Sequence, residues 1–172
     1  SDDMQRMLRL GLAASSPLVQ RFAALAAAKR SSVDVTFELT LLLNAAIKNT
    51  DRFLVHAVKI ALREQCGQIP DSFTRVTKLV ESQSIAAFAE ICLAVKTPGA
   101  AEFILDNLDA LSERDSSGLN RYLAFAATHA QVESIDRIVA TIDRAYQGDP
   151  EFQLEILNSL RVGVEARDRK IP

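Results

Sequence analysis

Apolar residues recur at three- and four-residue intervals along nearly the whole chain, which is the period of helices that bury one side. The clearest case is 50–65, TDRFLVHAVKIALREQ. Asp51 is a natural N-cap there, because its carboxylate can accept a hydrogen bond from an unpaired N–H of the first turn. Phe53, Leu54, Ala57, Val58, Ala61 and Leu62 then share one side, while Arg52, His56, Lys59 and Arg63 form a basic stripe on another. Gly67 and Pro70 are the expected stop.

The same reading extends in both directions. It predicts a short first helix at 3–13 with Met4, Met7, Leu8 and Leu12 inward. Ser16-Pro17 opens a second helix to about Lys29, with Leu18, Val19, Phe22, Leu25 and Ala26 as its apolar side. Val33–Lys48 is the most apolar stretch (Val35, Leu39, Leu42, Leu43, Ala46, Ile47) and is expected to sit centrally. Asp71 opens a helix to Glu81 that buries Phe73, Val76, Leu79 and Val80. The next, from Ser84 to near Lys96, groups Cys92 with Ile85, Phe88, Ile91 and Val95. Thr97-Pro98 repeats the cap-plus-proline signal ahead of Phe103, Ile104, Leu108 and Leu111. Beyond the polar link SERDSSG, Leu119, Tyr122, Leu123 and Ala126 mark a helix to Thr128. Val132, Ile135, Ile138, Val139, Ile142 and Tyr146 mark another, and Asp149-Pro150-Glu151 opens the last, with Phe152, Ile156, Leu157 and Leu160.

The pattern therefore predicts about ten helices, short links and no strand. Short links make neighbours antiparallel, and the helices group as five hairpins with a period of roughly 30–40 residues. That period is the mark of a HEAT- or armadillo-like right-handed α-solenoid. The fold class is all-α, in a single domain at 1–172, with an irregular helical bundle as the alternative.

Composition sharpens this picture. The 172 residues are 48% apolar but only 6% aromatic, with no Trp, so Leu, Ala, Ile and Val must carry a core of closely packed helices. Six Gly and five Pro leave little material for long loops. A net charge of −2 gives no overall attraction to nucleic acid or anionic membrane. No stretch has the uninterrupted apolar length of a membrane-spanning helix, since even Val33–Ile47 contains Asp34, Glu38 and Asn44. The chain opens on SDDM and is read as an excised segment of a longer protein.

Three stretches, in this order and spacing, resemble one family. TDRFLVHAVKIALREQ looks like the D-rFLrHAar-AL helix of the PVC-type heme-binding multidomain proteins of bacteria, also described as membrane-bound dehydrogenase-like. AAEFILDNLDAL followed by LNRYLAFAATHA resembles the paired helices that come after it, and GDPEFQLEILNSLRVGVEARDRKIP resembles the closing segment of the same HEAT region. The resemblance implies a HEAT region between an N-terminal β-propeller and a C-terminal c-type cytochrome, in an extracytoplasmic protein. The family's heme attachment needs CxxCH, where two thiols tether the porphyrin and the His ligates iron. This chain has no CxxCH, and neither His56 nor His129 follows paired cysteines. Heme is thus expected elsewhere in the parent protein and no cofactor is assigned to these residues.

Little else points to chemistry. Cys66 and Cys92 form no CxxC pair, so a zinc site is not indicated, and Cys92 reads as a buried structural thiol. A Cys66–Cys92 disulfide is a matter of geometry that spacing does not decide. There is no GxSxG elbow and no glycine-rich phosphate loop. Asp2-Asp3 and Glu113/Asp115 sit at a terminus and in a link, where acids are solvated. Catalytic and metal-binding residues are therefore not assigned. The one candidate surface is the stripe Lys48, Arg52, His56, Lys59 and Arg63, read as a docking face for an acidic protein partner, against a plain reading as solvated helix charge.

The functional expectation is a non-catalytic scaffold or spacer whose partners are the flanking propeller and cytochrome-like domains. Exposed solenoid ends, above all the Met-rich first helix, would allow self-association. The alternatives are a free-standing HEAT scaffold in the cytoplasm and, third, an enzyme or a nucleic-acid-binding HEAT protein. The last would require a continuous basic surface.

Overall fold

A computed structural model describes residues 2–30, 32–114, 118–145 and 150–168. They are helical, with no strand among them, and they form two compact units, Ser1–Val95 and Lys96–Pro172. The helices are α1 (Asp2–Leu12), α2 (Pro17–Ala27), α3 (Val33–Lys48), α4 (Arg52–Gln68), α5 (Pro70–Val76), α6 (Ile85–Val95), α7 (Pro98–Asp106), α8 (Leu108–Arg114), α9 (Leu119–His129), α10 (Ile135–Ala145) and α11 (Pro150–Asp168).

In the first unit the helices stack in two layers. α1 packs on α3 and α3 on α5, while α2 packs on α4 and α4 on α6; α1 also packs on α2, and α3 on α4. No single pair could bury its apolar side alone, so stacking completes the core. α3 is a central element, with Val35, Leu39, Leu42, Leu43 and Ala46 buried, as expected of the most apolar stretch. Phe73 on α5 meets Phe88 on α6 with ring centroids 5.6 Å apart and planes tilted by 53°, a favourable aromatic geometry.

In the second unit α9 is the hub. It buries Leu119, Tyr122, Leu123, Ala126 and Ala127 against α7, α8 and α11. α7 and α8 bury Phe103, Ile104, Leu108 and Leu111, as expected. They are separate helices, because the Asn107 side chain donates to the Phe103 carbonyl at 2.8 Å and the ladder is reset there. Gly163 lets α11 approach α9 closely: a Cβ there would lie 2.7 Å from Ala127 Cβ and 2.8 Å from the Ala124 carbonyl oxygen.

Several expectations are corrected. α4 does not stop at Gly67 but runs to Gln68, and Pro70 begins α5 directly. α5 ends at Val76 and gives way to short 3-10 turns at Thr77–Leu79 and Ser82–Ser84, leaving Leu79 and Val80 only half-buried. Leu8 and Leu12 are buried on α1, but Met4 and Met7 are exposed. α2 buries Ala24 and Ala27 and turns Leu18, Val19, Phe22, Leu25 and Ala26 outward, the reverse of the expected side. Small residues explain this: Gly11 of α1 sits so near Ala23 that a Cβ on it would come within 2.8 Å of the alanine methyl, so the hairpin closes on its small side chains. Phe53 is 73% exposed rather than inward, lying beneath the Arg21 guanidinium at 5.2 Å. On α10 and α11, Ile138 and Leu160 are buried, whereas Val139 and Leu157 are exposed. The side chains of Val132, Ile135, Ile142, Phe152 and Ile156, and residues Tyr146 and Asp149, lie outside the described set.

The signals at Asp51 and Thr97 cap through their side chains, whereas Asp71 is not a cap, since α5 begins at Pro70 with Ile69 just before it. Asp51 accepts from the N–H groups of Phe53 at 3.1 Å and Leu54 at 2.9 Å. Thr97 accepts from Ala100 N–H at 3.3 Å. Ser16 precedes Pro17 in an extended conformation but makes no side-chain cap bond.

Candidate functional site

The basic stripe begins at the end of α3 and continues down α4. Two tight backbone constraints place it there. Asn49 and Thr50 link the helices, and Thr50 adopts φ 56°, a left-handed conformation that costs a β-branched residue about 1–2 kcal/mol. The Asp51 cap then fixes the first turn of α4, which carries Arg52 at its start and His56 one turn on.

These residues open onto a groove of about 460 Å³ lined by Ile47, Thr50, Arg52, Val55, His56 and Lys59. Ile47 and Val55 give it an apolar floor, and the basic groups stand at its rim. Of the five sequence-predicted residues, the groove gathers Arg52, His56 and Lys59; Lys48 and Arg63 do not line it. Two of the five charges are already engaged. Lys59 pairs with Glu90 of α6, and burial lowers its pKa from the usual lysine value. Arg63 reaches Glu64 through Nε at 3.2 Å and Nη2 at 2.9 Å. Exposed pairs of this kind contribute little to stability, about 0–1 kcal/mol, but they remove charge from the stripe. Arg52 therefore carries what positive charge the groove offers, with the His56 imidazole one turn further along α4.

Among the described residues, no three or more His, Cys, Asp or Glu side chains are grouped to hold a metal. Cys66 and Cys92 are buried free thiols. Burial pushes Cys66 up to about 12 and raises Cys92 as well, with the neighbouring Cys66 as a second cause. The thiolate is the reactive form, so burial disfavours nucleophilic chemistry at both sulfurs. His129 is half-buried on α9 and meets the Phe125 ring with centroids 4.7 Å apart and planes tilted by 50°.

The residues that sequence reasoning missed are buried and polar. Gln65, 1% exposed near the end of α4, accepts from the Ser32 N–H at 2.9 Å and donates to the carbonyls of Ala27 and Arg30. One amide thus ties down the end of α2 and the start of α3. Asn44, buried on α3, donates to the Leu79 carbonyl at 2.7 Å and accepts from Glu81 N–H at 3.3 Å, which fixes the turn after α5. Thr36, Thr40 and Asn44 form an i, i+4, i+8 ridge on the buried side of α3, with Thr36 and Thr40 bonded back to the carbonyls of Ser32 and Thr36. A polar residue at a core-facing helical position was the available signal, and at Asn44 and Gln65 it marks an inter-helix tie.

Compared with protein-family models, curated protein sequences and solved structures, the chain matches none. No helix among the described residues is long and apolar enough to cross a membrane.

Proposed function

We propose that this chain is a non-catalytic helical-repeat scaffold of the HEAT kind. It spaces and docks the propeller and cytochrome-like domains of an extracytoplasmic, heme-containing dehydrogenase-like protein. The observation that carries the reading is the recurrence of cross-links at nearly constant separation. Arg9 to Glu38, Ser32 to Gln65, Asn44 to Leu79, Lys59 to Glu90 and Asp106 to Arg137 each join positions 29 to 35 residues apart. In the first unit Arg9–Glu38 joins α1 to α3 and Lys59–Glu90 joins α4 to α6, each skipping one helix, and such contacts between alternate helices support a reading as stacked repeats, whose use is geometric: they hold partners at a set distance and offer them a long surface.

The α4 groove is the docking point in this account. Its apolar floor with Arg52 and His56 at the rim suits an acidic side chain flanked by an aliphatic one, presented by a neighbouring domain. The redox setting comes from the three stretches that resemble PVC-type proteins. It is tested on the full-length polypeptide from its native host, by staining for covalent heme and recording the visible spectrum. A c-type heme band is the expected result. A full-length chain without heme would remove the redox setting and leave a protein-binding scaffold.

A further inference from the structure

Two unpartnered apolar surfaces, one in each unit, carry opposite charge. The first is the outward side of α2. Leu18, Phe22 and Leu25 stand at i, i+4 and i+7 and are 53%, 64% and 42% exposed. Val19 and Ala26 extend the stripe on one flank, and Lys29 and Arg30 follow just beyond its C-terminal end. Residues 1–30 contain five basic side chains against two acidic ones. The second is a groove of about 420 Å³ between α10 and α11. It is lined by the exposed apolar residues Val139, Ala140 and Leu157 together with Asp136, Asp143 and Gln153, and Leu154 is exposed one turn before Leu157. Neither aspartate has an ion-pair partner among the described residues, and 135–168 contain seven acidic side chains against four basic ones.

We propose that these two surfaces bind each other between copies of this chain. The α2 stripe of one copy seats Phe22 and Leu25 in the α10–α11 groove of the next, and Lys29 and Arg30 meet Asp136 and Asp143. Charge selects this occupant. Two α2 stripes facing each other would bring like charges together, as would two acidic grooves, whereas stripe on groove pairs them. The anchor is also of the right kind, since an aromatic residue entering an apolar pocket with charged residues at the rim is the usual centre of a protein interface. The contact is heterologous, using a different patch on each copy, so it builds chains or rings instead of a closed two-fold pair. The inference goes beyond the scaffold reading, which uses the cross-links between helices and the α4 groove and stands or falls separately.

The test is sedimentation velocity on the chain over rising concentration, at about 50 mM and about 0.5 M salt. The expected mass rises above the 18.8 kDa of one chain and falls back at high salt. Phe22→Glu and Leu157→Arg each change an exposed position, and circular dichroism checks that helix content is kept. Each alone should weaken self-association by about tenfold or more. Mixed in equal amounts, the two variants should pair, because the intact stripe of one meets the intact groove of the other, and growth should stop at two chains. Lys29→Glu with Asp143→Lys gives the same test through charge. A wild-type chain that stays monomeric at about 1 mM, a concentration at which even millimolar affinity shows, overturns the proposal. So does self-association lost in Phe22→Glu but kept in Leu157→Arg, or a failure of the mixed variants to pair.

Discussion

Replacing Gln65 by Met keeps an unbranched side chain of similar length and removes the amide. In the folded chain this strands the Ser32 N–H and the Arg30 carbonyl; the Ala27 carbonyl keeps a second bond, from the Arg30 N–H at 3.1 Å. Leaving a buried polar group unpaired costs about 1–3 kcal/mol. Both stranded groups belong to part-buried contacts, so water recovers some of that, and the expected loss is about 2–4 kcal/mol. This is a large share of the roughly 5–15 kcal/mol that holds a domain together. Urea unfolding followed by far-ultraviolet circular dichroism reads it. At a slope of about 2 kcal/mol per molar, the transition of the first unit moves down by about 1–2 M. Both tyrosines, Tyr122 and Tyr146, lie within 96–172, so tyrosine fluorescence reports the second unit separately. Hydrogen exchange should show the Ser32 amide losing protection. A midpoint within about 0.2 M of wild type, with Ser32 still protected, would refute the tie, since that corresponds to less than about 0.5 kcal/mol.

Three further outcomes are expected. Gly163→Ala drives a methyl against Ala127 and the Ala124 carbonyl, and the clash should outweigh the helix-propensity gain, for a net loss of about 1–2 kcal/mol in the tyrosine-detected melt. Thr50→Gly relieves the left-handed conformation at the α3–α4 link and should stabilise the chain by about 0.5–1 kcal/mol, read as a higher Tm; an unchanged or lower Tm would contradict it. The Cys66 thiol titrates at about 12 when folded against 9.0 ordinarily, so the neutral thiol's contribution is complete below about pH 9 and is lost as pH rises toward 12. Stability should therefore fall by about 1.4 kcal/mol per pH unit across that window for this group, and the Cys66→Ala/Cys92→Ala double variant should show a flatter alkaline slope.

Much of the architecture was legible because caps and periodicity are local. Asp51 and Thr97 could be assigned as caps from their places before apolar runs, and their side chains make the bonds. The buried sides of α7 and α9 also followed from spacing. Periodicity finds a stripe but not the side from which neighbours arrive. On α2 the large residues form the stripe, yet Ala24, Ala27 and the Gly11–Ala23 contact set the packing, so the stripe faces out. Gly67 looked like a stop, but a Cβ there would meet nothing within 4 Å, and the helix passes through it to the point where Pro70 starts the next. The docking stripe was legible as a row of cations. Its partial neutralisation was not, because Glu90 meets Lys59 across 31 residues of chain and only packing of α4 on α6 brings them together. Gln65 and Asn44 were hidden for the same reason: their partners are backbone groups of other helices, which a side-chain pattern cannot display.

The central claim is that the chain docks a partner through the groove beside Arg52 and His56. A photoreactive amino acid placed at position 55 of the full-length protein, which lines the groove and leaves Arg52 in place, with a control at exposed Ala94 on α6, tests it most directly. The account predicts that position 55 cross-links to one acidic peptide of a flanking domain, identified by mass spectrometry, and that position 94 does not. Equal or absent cross-linking at the two positions would contradict it.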